Sequence, residues 1–332
     1  MSSGVTHAKR RSIYLLRRIG QSVVVLGIVL LLQFILVHLA PGDIADVIAG
    51  DVQSGDPEFI AQLRRDLGLD QSMSVQFVLY VGRLLTLDFG VSHAFNLPVL
   101  TLILDRLPAT LLLMFTAIAL AFVAGAALGT LAAAFRGRWP DVAVTVAALL
   151  FYATPVFLVG IGLILIFTVW LRWLPMSGMY VTWVEHTWRS FIADVALHLI
   201  MPALSLSLFY VAIYTRLMRA TMLEILSQDY VRTAWAKGLS PSRVVLRHAA
   251  RNALLPMITM LGLQVSSLLG GAVLVETVFG WPGIGRLAFE AVFRRDVPLV
   301  MGILFLSSVL VLVVNLLVDL VYTRLDPRIV LG

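Results

Sequence analysis

Not one of the 332 residues is a cysteine. That excludes disulfide staples, a thiol nucleophile and Cys-ligated zinc or iron–sulfur centres. Charge is scarce as well. Asp, Glu, Lys and Arg make up 13% of the chain, about half their usual share in soluble domains. No two of the six histidines (His7, His38, His93, His186, His198, His248) stand at i, i+3 or i+4, so no metal site is expected. Also missing are G-x-x-x-x-G-K-[ST], H-E-x-x-H and G-x-S-x-G, the signatures of phosphate loops, zinc hydrolases and serine hydrolases. Nothing here points to catalysis or to a cofactor bound by this chain.

What the chain does have is apolar length. Hydrophobic residues reach 60%, and several uncharged runs exceed the ~20 residues that cross a bilayer as a helix. Six runs qualify as spans: 19–39, 109–135, 142–171, 199–215, 252–275 and 298–318. The first follows Lys9, Arg10, Arg11, Arg17 and Arg18 but outlasts the ~7–15 apolar residues of a signal peptide, so it is expected to remain as a helix. Pro155 falls inside the third run and removes a backbone donor there, which predicts a kinked or a broken helix. The expected fold is all-α and polytopic, with six transmembrane helices.

Basic residues set the orientation. Placing the N-terminus in the cytoplasm puts 16 of the 25 Lys and Arg on that side, as the positive-inside rule favours. The net charge of +6 therefore reads as cytoplasmic loops rather than a nucleic-acid surface. This divides the chain into a cytoplasmic N-terminus (1–18), a first transmembrane helix (19–39) and an extracytoplasmic insert (40–108). A five-helix core (109–323) and a cytoplasmic C-terminus (324–332) complete it. The insert holds nine acids against four bases and reads either as a solvated connector or as a surface for an external partner. Within it, Glu58 to Leu67 has the pattern of one short amphipathic helix.

The spans hold almost no ionisable groups, whereas ion-coupled carriers place such groups mid-membrane to bind the coupling ion. Glu276 and Asp319 sit at span ends, where pairing or snorkelling would explain them. Ser205, Ser207, Gln264, Ser266, Ser267 and Asn315 either face a lumen or bond to backbone between helices. Gly125 and Gly129 make a small-xxx-small pair suited to tight helix packing. If solute moves uphill, the energy must come from a partner.

The place to receive it is the cytoplasmic loop 219–252. Helix-forming residues run from Thr221 to Lys237, Gly238 supplies a stop, and Ser240–Pro241 offers an N-cap and a first helical position. Two short helices around a tight turn are expected. Arg243, Arg247 and Arg251 would form one basic face on the second, directed at anionic lipid headgroups or at a protein.

At these residues the chain resembles a known family. DYVRTAWAKGLS (Asp229 to Ser240) followed by RHAARNALLP (Arg247 to Pro256) is similar to the coupling loop of ABC-transporter permeases of the dipeptide/oligopeptide group. LAPGD from Leu39, LGLD from Leu67, LDFGVS from Leu87 and RLPATL from Arg106 follow the family's order. So do GGAVLVETVFGWPGIGRL from Gly270 and NLLVDLVYTRLDPRI from Asn315. The resemblance covers almost the whole chain. It departs from the general Glu-Ala-Ala pattern at Arg232, Thr233 and Ala234, as the peptide group does, and carries Trp235 where that group commonly has Arg.

The resemblance implies a type I ABC importer permease in the bacterial inner membrane, with both termini cytoplasmic. It implies as partners a second homologous permease, two ATP-binding subunits that hold ATP and Mg, an extracytoplasmic solute-binding protein and membrane lipid. Asp229, Arg232, Thr233, Ala234, Lys237 and Gly238 would form the ATPase-coupling loop. Ser266 and Ser267 would line the pathway, and Glu276, Trp281 and Pro282 would form an outer gate, with an ordinary turn at GWPGIG as the alternative. Di- and oligopeptides are the expected solutes; nickel complexes, glutathione and glycosides belong to the same family, and a self-contained carrier or channel is the rival from another class.

Overall fold

The computed structural model describes residues 3–39, 57–66, 68, 70–185 and 187–325. LAPGD and LGLD lie partly outside these, as do the C-terminal residues from 326 onward. All regular structure among the described residues is helical: α1 Ser3–Leu39, α2 Pro57–Asp66, α3 Met73–Leu85, α4 Val99–Ala134, α5 Trp139–Ala153, α6 Val156–Leu163, α7 Trp188–Leu226, α8 Asp229–Ala236, α9 Arg251–Val278, α10 Ile284–Phe293 and α11 Val297–Leu325. Two π-helical stretches, Ile164–Trp170 and Val244–Ala250, extend α6 and lead into α9.

Among the described residues, four helices are long and apolar enough to cross a membrane: Arg17–Leu36, Val99–Ala134, Trp188–Leu226 and Val297–Val318. Counting each of two bent pairs as one span gives up to six, one bent by 107° between Ala153 and Val156 and one by 70° between Gly262 and Ser267. The first break falls at Pro155, which has no N–H to continue the ladder. It resolves the kinked-or-broken alternative in favour of a break. Pro202 sits inside α7 without ending it. The 40–108 segment contains more helix than its pattern suggested: α2 matches the amphipathic stretch, α3 was not foreseen, and α4 already begins at Val99.

The chain divides into two compact units, Met1–Leu107 with Leu287–Gly332, and Pro108–Arg286. In the first, Asp296 anchors the start of α11. Its carboxylate accepts from Ser92 Oγ, from Ala94 N at 3.1 Å and from Leu299 N at 3.2 Å, so a buried acid caps the helix where positive dipole collects.

In the second unit α7 is the central helix. Half of its most apolar window is buried, against 17% for α1. Met201, Leu206, Tyr214, Met218 and Met222 on α7 are fully enclosed and share one core with Leu113 and Ala117 of α4 and with Met257 and Leu268 of α9. Gly125 and Gly129 let α4 approach this closely. A Cβ on Gly129 would lie 2.5 Å from Met218 Cβ and 2.7 Å from Thr215 O, and one on Gly125 would collide with Tyr214 Cβ. The expected packing role for the pair is what the structure shows. Where α5 begins, Asp141 is buried and accepts two bonds from Arg219 of α7, at 2.6 and 2.8 Å, and one from Gly137 N at 2.9 Å.

Candidate functional site

The loop after α7 differs from the expected pair of short helices. Thr221 to Lys237 is not one helix: α7 runs on to Leu226, Ser227 and Gln228 interrupt it, and α8 starts at Asp229. Ser227 Oγ donates to Glu224 O at 2.7 Å, a local side-chain bond that competes with helix continuation. The second helix is not short either. Pro241–Arg243 passes through the π segment Val244–Ala250 directly into α9. Ser240 has the extended backbone of an N-cap, but its hydroxyl makes no capping bond. The site is therefore one surface helix joined by a tight turn to the head of a long one.

That turn is a Schellman motif. Gly238 N donates to Trp235 O at 2.9 Å and Leu239 N to Ala234 O at 3.4 Å, with Gly238 at φ +75°. Glycine enters this left-handed region without the steric cost that a Cβ imposes. Leu239 then packs on the core, supplying the apolar contact that accompanies the motif.

The two faces of α8 have different work. Val231 and Ala234 are buried against the core of their unit. Asp229, Arg232, Thr233, Lys237 and Gly238 are exposed. Ala234, grouped by sequence with the coupling-loop residues, turns its side chain inward, because it falls three residues after Val231 on the same face. Arg232 Nη1 and Asp229 Oδ1 lie 3.5 Å apart on the surface, a pair worth little in water and so available to other partners. Trp235 is half exposed and borders a cavity of about 820 Å³ that Leu131, Phe135 and Leu246 also line. One bond ties α8 to α9: Asn252 Nδ2 donates to Tyr230 Oη at 2.8 Å. Both residues lie inside the motifs quoted above, yet nothing in the sequence said that they meet. Arg243, Arg247 and Arg251 are all exposed, so the basic face survives the π segment.

The gate candidates do not form one group. The Ser266 side chain lies outside the described residues. Ser267 donates to Gln264 O at 2.8 Å and lies 3.3 Å from Tyr210 Oη. Glu276 is nine residues further on, about 14 Å along a helix, and belongs to a separate knot. It is fully buried, so of the two explanations, pairing and snorkelling, the structure shows a partnered carboxylate. Thr110 Oγ1 donates to it at 2.7 Å and Arg286 N at 3.0 Å, so the carboxylate caps the first turn of α10. The Thr110 oxygen in turn accepts from Ile284 N at 2.8 Å. Trp281, also fully buried, donates Nε1–H to Ala109 O at 2.9 Å, and Pro282 is half-buried beside it. The Arg286 guanidinium is directed elsewhere, to Gly280 O at 2.7 Å.

Two glycines of GWPGIG make room for the carboxylate. A Cβ on Gly283 would overlap Glu276, and one on Gly285 would lie 2.6 Å from Val273 Cα. Of the other polar candidates, Ser205 donates across to Val156 O at 2.9 Å, occupying a carbonyl beside the Pro155 break, and Ser207 bonds Leu204 O at 3.0 Å in its own helix. Backbone bonding is the role both show. Among the described residues no cluster of His, Asp and Glu is placed to hold a metal.

Residues 125–331 match the model of the family described as the binding-protein-dependent transport system inner membrane component. Residues 12–114 match that of its N-terminal region. The probable peptide ABC transporter permease protein y4tP of Sinorhizobium fredii (strain NBRC 101917 / NGR234) is 41% identical, over 96% of this chain and 99% of its own length. The glutathione transport system permease protein GsiC of Escherichia coli (strain K12) is 40% identical, over 95% and 98%. A chain of the MetNI methionine ABC transporter in an inward-facing conformation shares the fold, with a TM-score of 0.53 and 17% identity, over 68% of this chain and 97% of that one. The chain is a multi-span, all-α membrane protein and belongs to the family of binding-protein-dependent transport system inner membrane components.

Proposed function

We propose that the chain forms half of the pathway of an ATP-driven importer for di- or oligopeptides or related small solutes, glutathione among them. Its partners are a second, homologous permease, two ATP-binding subunits that carry ATP and Mg, and an extracytoplasmic solute-binding protein. It hydrolyses nothing itself. Both termini face the cytoplasm, and the 40–108 insert faces outward.

The observation that carries the reading is the construction of α8. It is a short helix with Val231 and Ala234 sunk into the core, ended by the Gly238 turn and latched to α9 through Tyr230 and Asn252. A push on its exposed face from an ATPase passes through that latch and the turn into a membrane span. Asp229, Arg232, Thr233 and Lys237 supply the contact surface, and Ala234 supplies the anchor. The buried knot at Glu276 and Trp281 supports a rigid outer stop that moves as one piece, rather than a loose flap.

The test is uptake of labelled di-, tri- and oligopeptides and of glutathione into proteoliposomes holding the assembled complex, with ATP inside and the binding protein outside. Uptake that needs both ATP and binding protein is expected. Transport by this chain alone without nucleotide would sink the reading in favour of a self-contained carrier.

A further inference from the structure

We propose that the first unit carries a phospholipid site, with one acyl chain in an apolar cavity beside α3 and the lipid phosphate at Arg83. The cavity holds about 300 Å³, at the lower end of the range of small-ligand sites. Phe34, Leu84, Phe89 and Met301, all buried, are among its lining residues, and the interior is overwhelmingly apolar. Three charged or titratable residues of the lining, His38, Arg83 and Asp88, are exposed.

Three observations select a lipid. First, the cavity lies where two spans end. The apolar stretch of α1 closes at Leu36 and that of α11 opens at Val297; Phe34 and His38, on either side of the first point, and Val297 at the second line it. That places it at the boundary between hydrocarbon and headgroups. Second, α3 is amphipathic, with Val75, Val78 and Leu85 exposed, the build of a helix lying in the interfacial plane. Third, the exposed side carries a guanidinium and a carboxylate, which complement the phosphate and amine of phosphatidylethanolamine. An arginine fork is well suited to a phosphate. The wall by α3 is fixed by two side-chain bridges to α1: His38 Nε2 to Gln76 Oε1 at 3.0 Å and Tyr80 Oη to Gln33 Oε1 at 3.2 Å. Burial raises the Tyr80 pKa, so the phenol remains a neutral donor.

The experiment uses the assembled complex, delipidated in detergent and then exposed separately to palmitoyl-oleoyl phosphatidylethanolamine, the matching phosphatidylglycerol and dioleoylglycerol. Retained lipid is counted by native mass spectrometry. Wild type is expected to keep phosphatidylethanolamine best. Leu79→Trp, which fills the cavity from a half-exposed position, is expected to reduce retention of all three. Arg83→Gln removes one charge-assisted bond and is expected to lower phospholipid retention about tenfold while leaving dioleoylglycerol unchanged. Equal retention of phosphatidylethanolamine by wild type and Arg83→Gln overturns the headgroup assignment, and equal retention by wild type and Leu79→Trp overturns the site. Loss of all lipid on adding the binding protein would instead assign the cavity to a protein side chain. Should Leu79→Trp fail to assemble, Leu79→Phe and the Arg83 arm still decide the outcome. Transport is not the readout, so the proposed solute class can fail without touching this result.

Discussion

The two ends of the fifth span are built in opposite ways. At its head, α8 lies on the surface, attached by two buried side chains, one Tyr230–Asn252 bond and a glycine turn. At its tail, Glu276 and Trp281 are wholly enclosed: Glu276 accepts from Thr110 and Arg286, and Trp281 donates to Ala109 O. A segment held by few buried contacts opens at low free-energy cost, whereas a satisfied buried polar network opens only with the surrounding core. The span therefore has a compliant head and a fixed tail, the arrangement a lever requires.

The largest effect is expected at the tail. Glu276→Ala leaves the Thr110 hydroxyl and the Arg286 amide without their acceptor inside a buried knot. Each such group costs roughly 1–3 kcal/mol, so a total of about 3 kcal/mol is expected, lowering the apparent melting temperature of the detergent-purified complex by about 4 °C at most. An unchanged melting curve would show that the tail is no more rigid than the head. Gly283→Ala should do nearly as much harm, because its Cβ would occupy the place of the carboxylate.

Next comes the packing on which both ends depend. Gly129→Leu forces a side chain against Met218 and the Thr215 backbone, with an expected cost of about 1–3 kcal/mol from overpacking. Gly162→Leu is the matched control, since a Cβ there meets nothing within 4 Å. Equal melting temperatures for the two variants would contradict the close approach of α4 and α7.

Smaller again is the loss at Arg219. Replacing it with Ala strands the Asp141 carboxylate, which keeps its Gly137 bond. Arg219 is itself about one-third exposed, so water screens part of the loss, and about 1–2 kcal/mol is expected. Asp141→Asn in the same chain should recover part of it, as a double-mutant cycle would reveal.

Much of this was legible in the sequence, for reasons that can be named. Span positions follow from charge-free length, the break follows from Pro155, and the tight helix pair follows from Gly125 and Gly129. The Gly238 stop was readable because a glycine after a helical run has one common use. The sequence did not reveal the Glu276 knot, since its partners Thr110 and Trp281 are far apart in the chain and no local pattern joins them. Nor did it reveal the inward face of Ala234, because a motif records which residues recur, not which way they point. The interruption at Ser227 was also hidden: the residues on both sides favour helix, and a single serine bond to Glu224 O decides against it.

The smallest stability effect and the sharpest functional one should coincide at Gly238. A Cβ there meets nothing within 4 Å, so the cost of substitution is conformational alone, roughly 1 kcal/mol for a residue held at positive φ. Melting of Gly238→Leu should therefore stay close to wild type. What should change is the angle between α8 and the helix that follows it, because the cheapest relief is to leave φ +75° and unmake the bonds to Trp235 O and Ala234 O. That displaces Arg232 and Lys237 while leaving the tail knot untouched. ATP-dependent uptake and binding-protein stimulation of hydrolysis are expected to be lost together. Gly238→Asn supplies the discriminating arm, since asparagine enters the left-handed region more readily than other residues with a Cβ. It should restore a substantial part of both activities, with a melting temperature at or slightly above that of the leucine variant. If leucine and asparagine lose activity equally, the turn's φ is not what matters, and the coupling role falls to the exposed face of α8 alone.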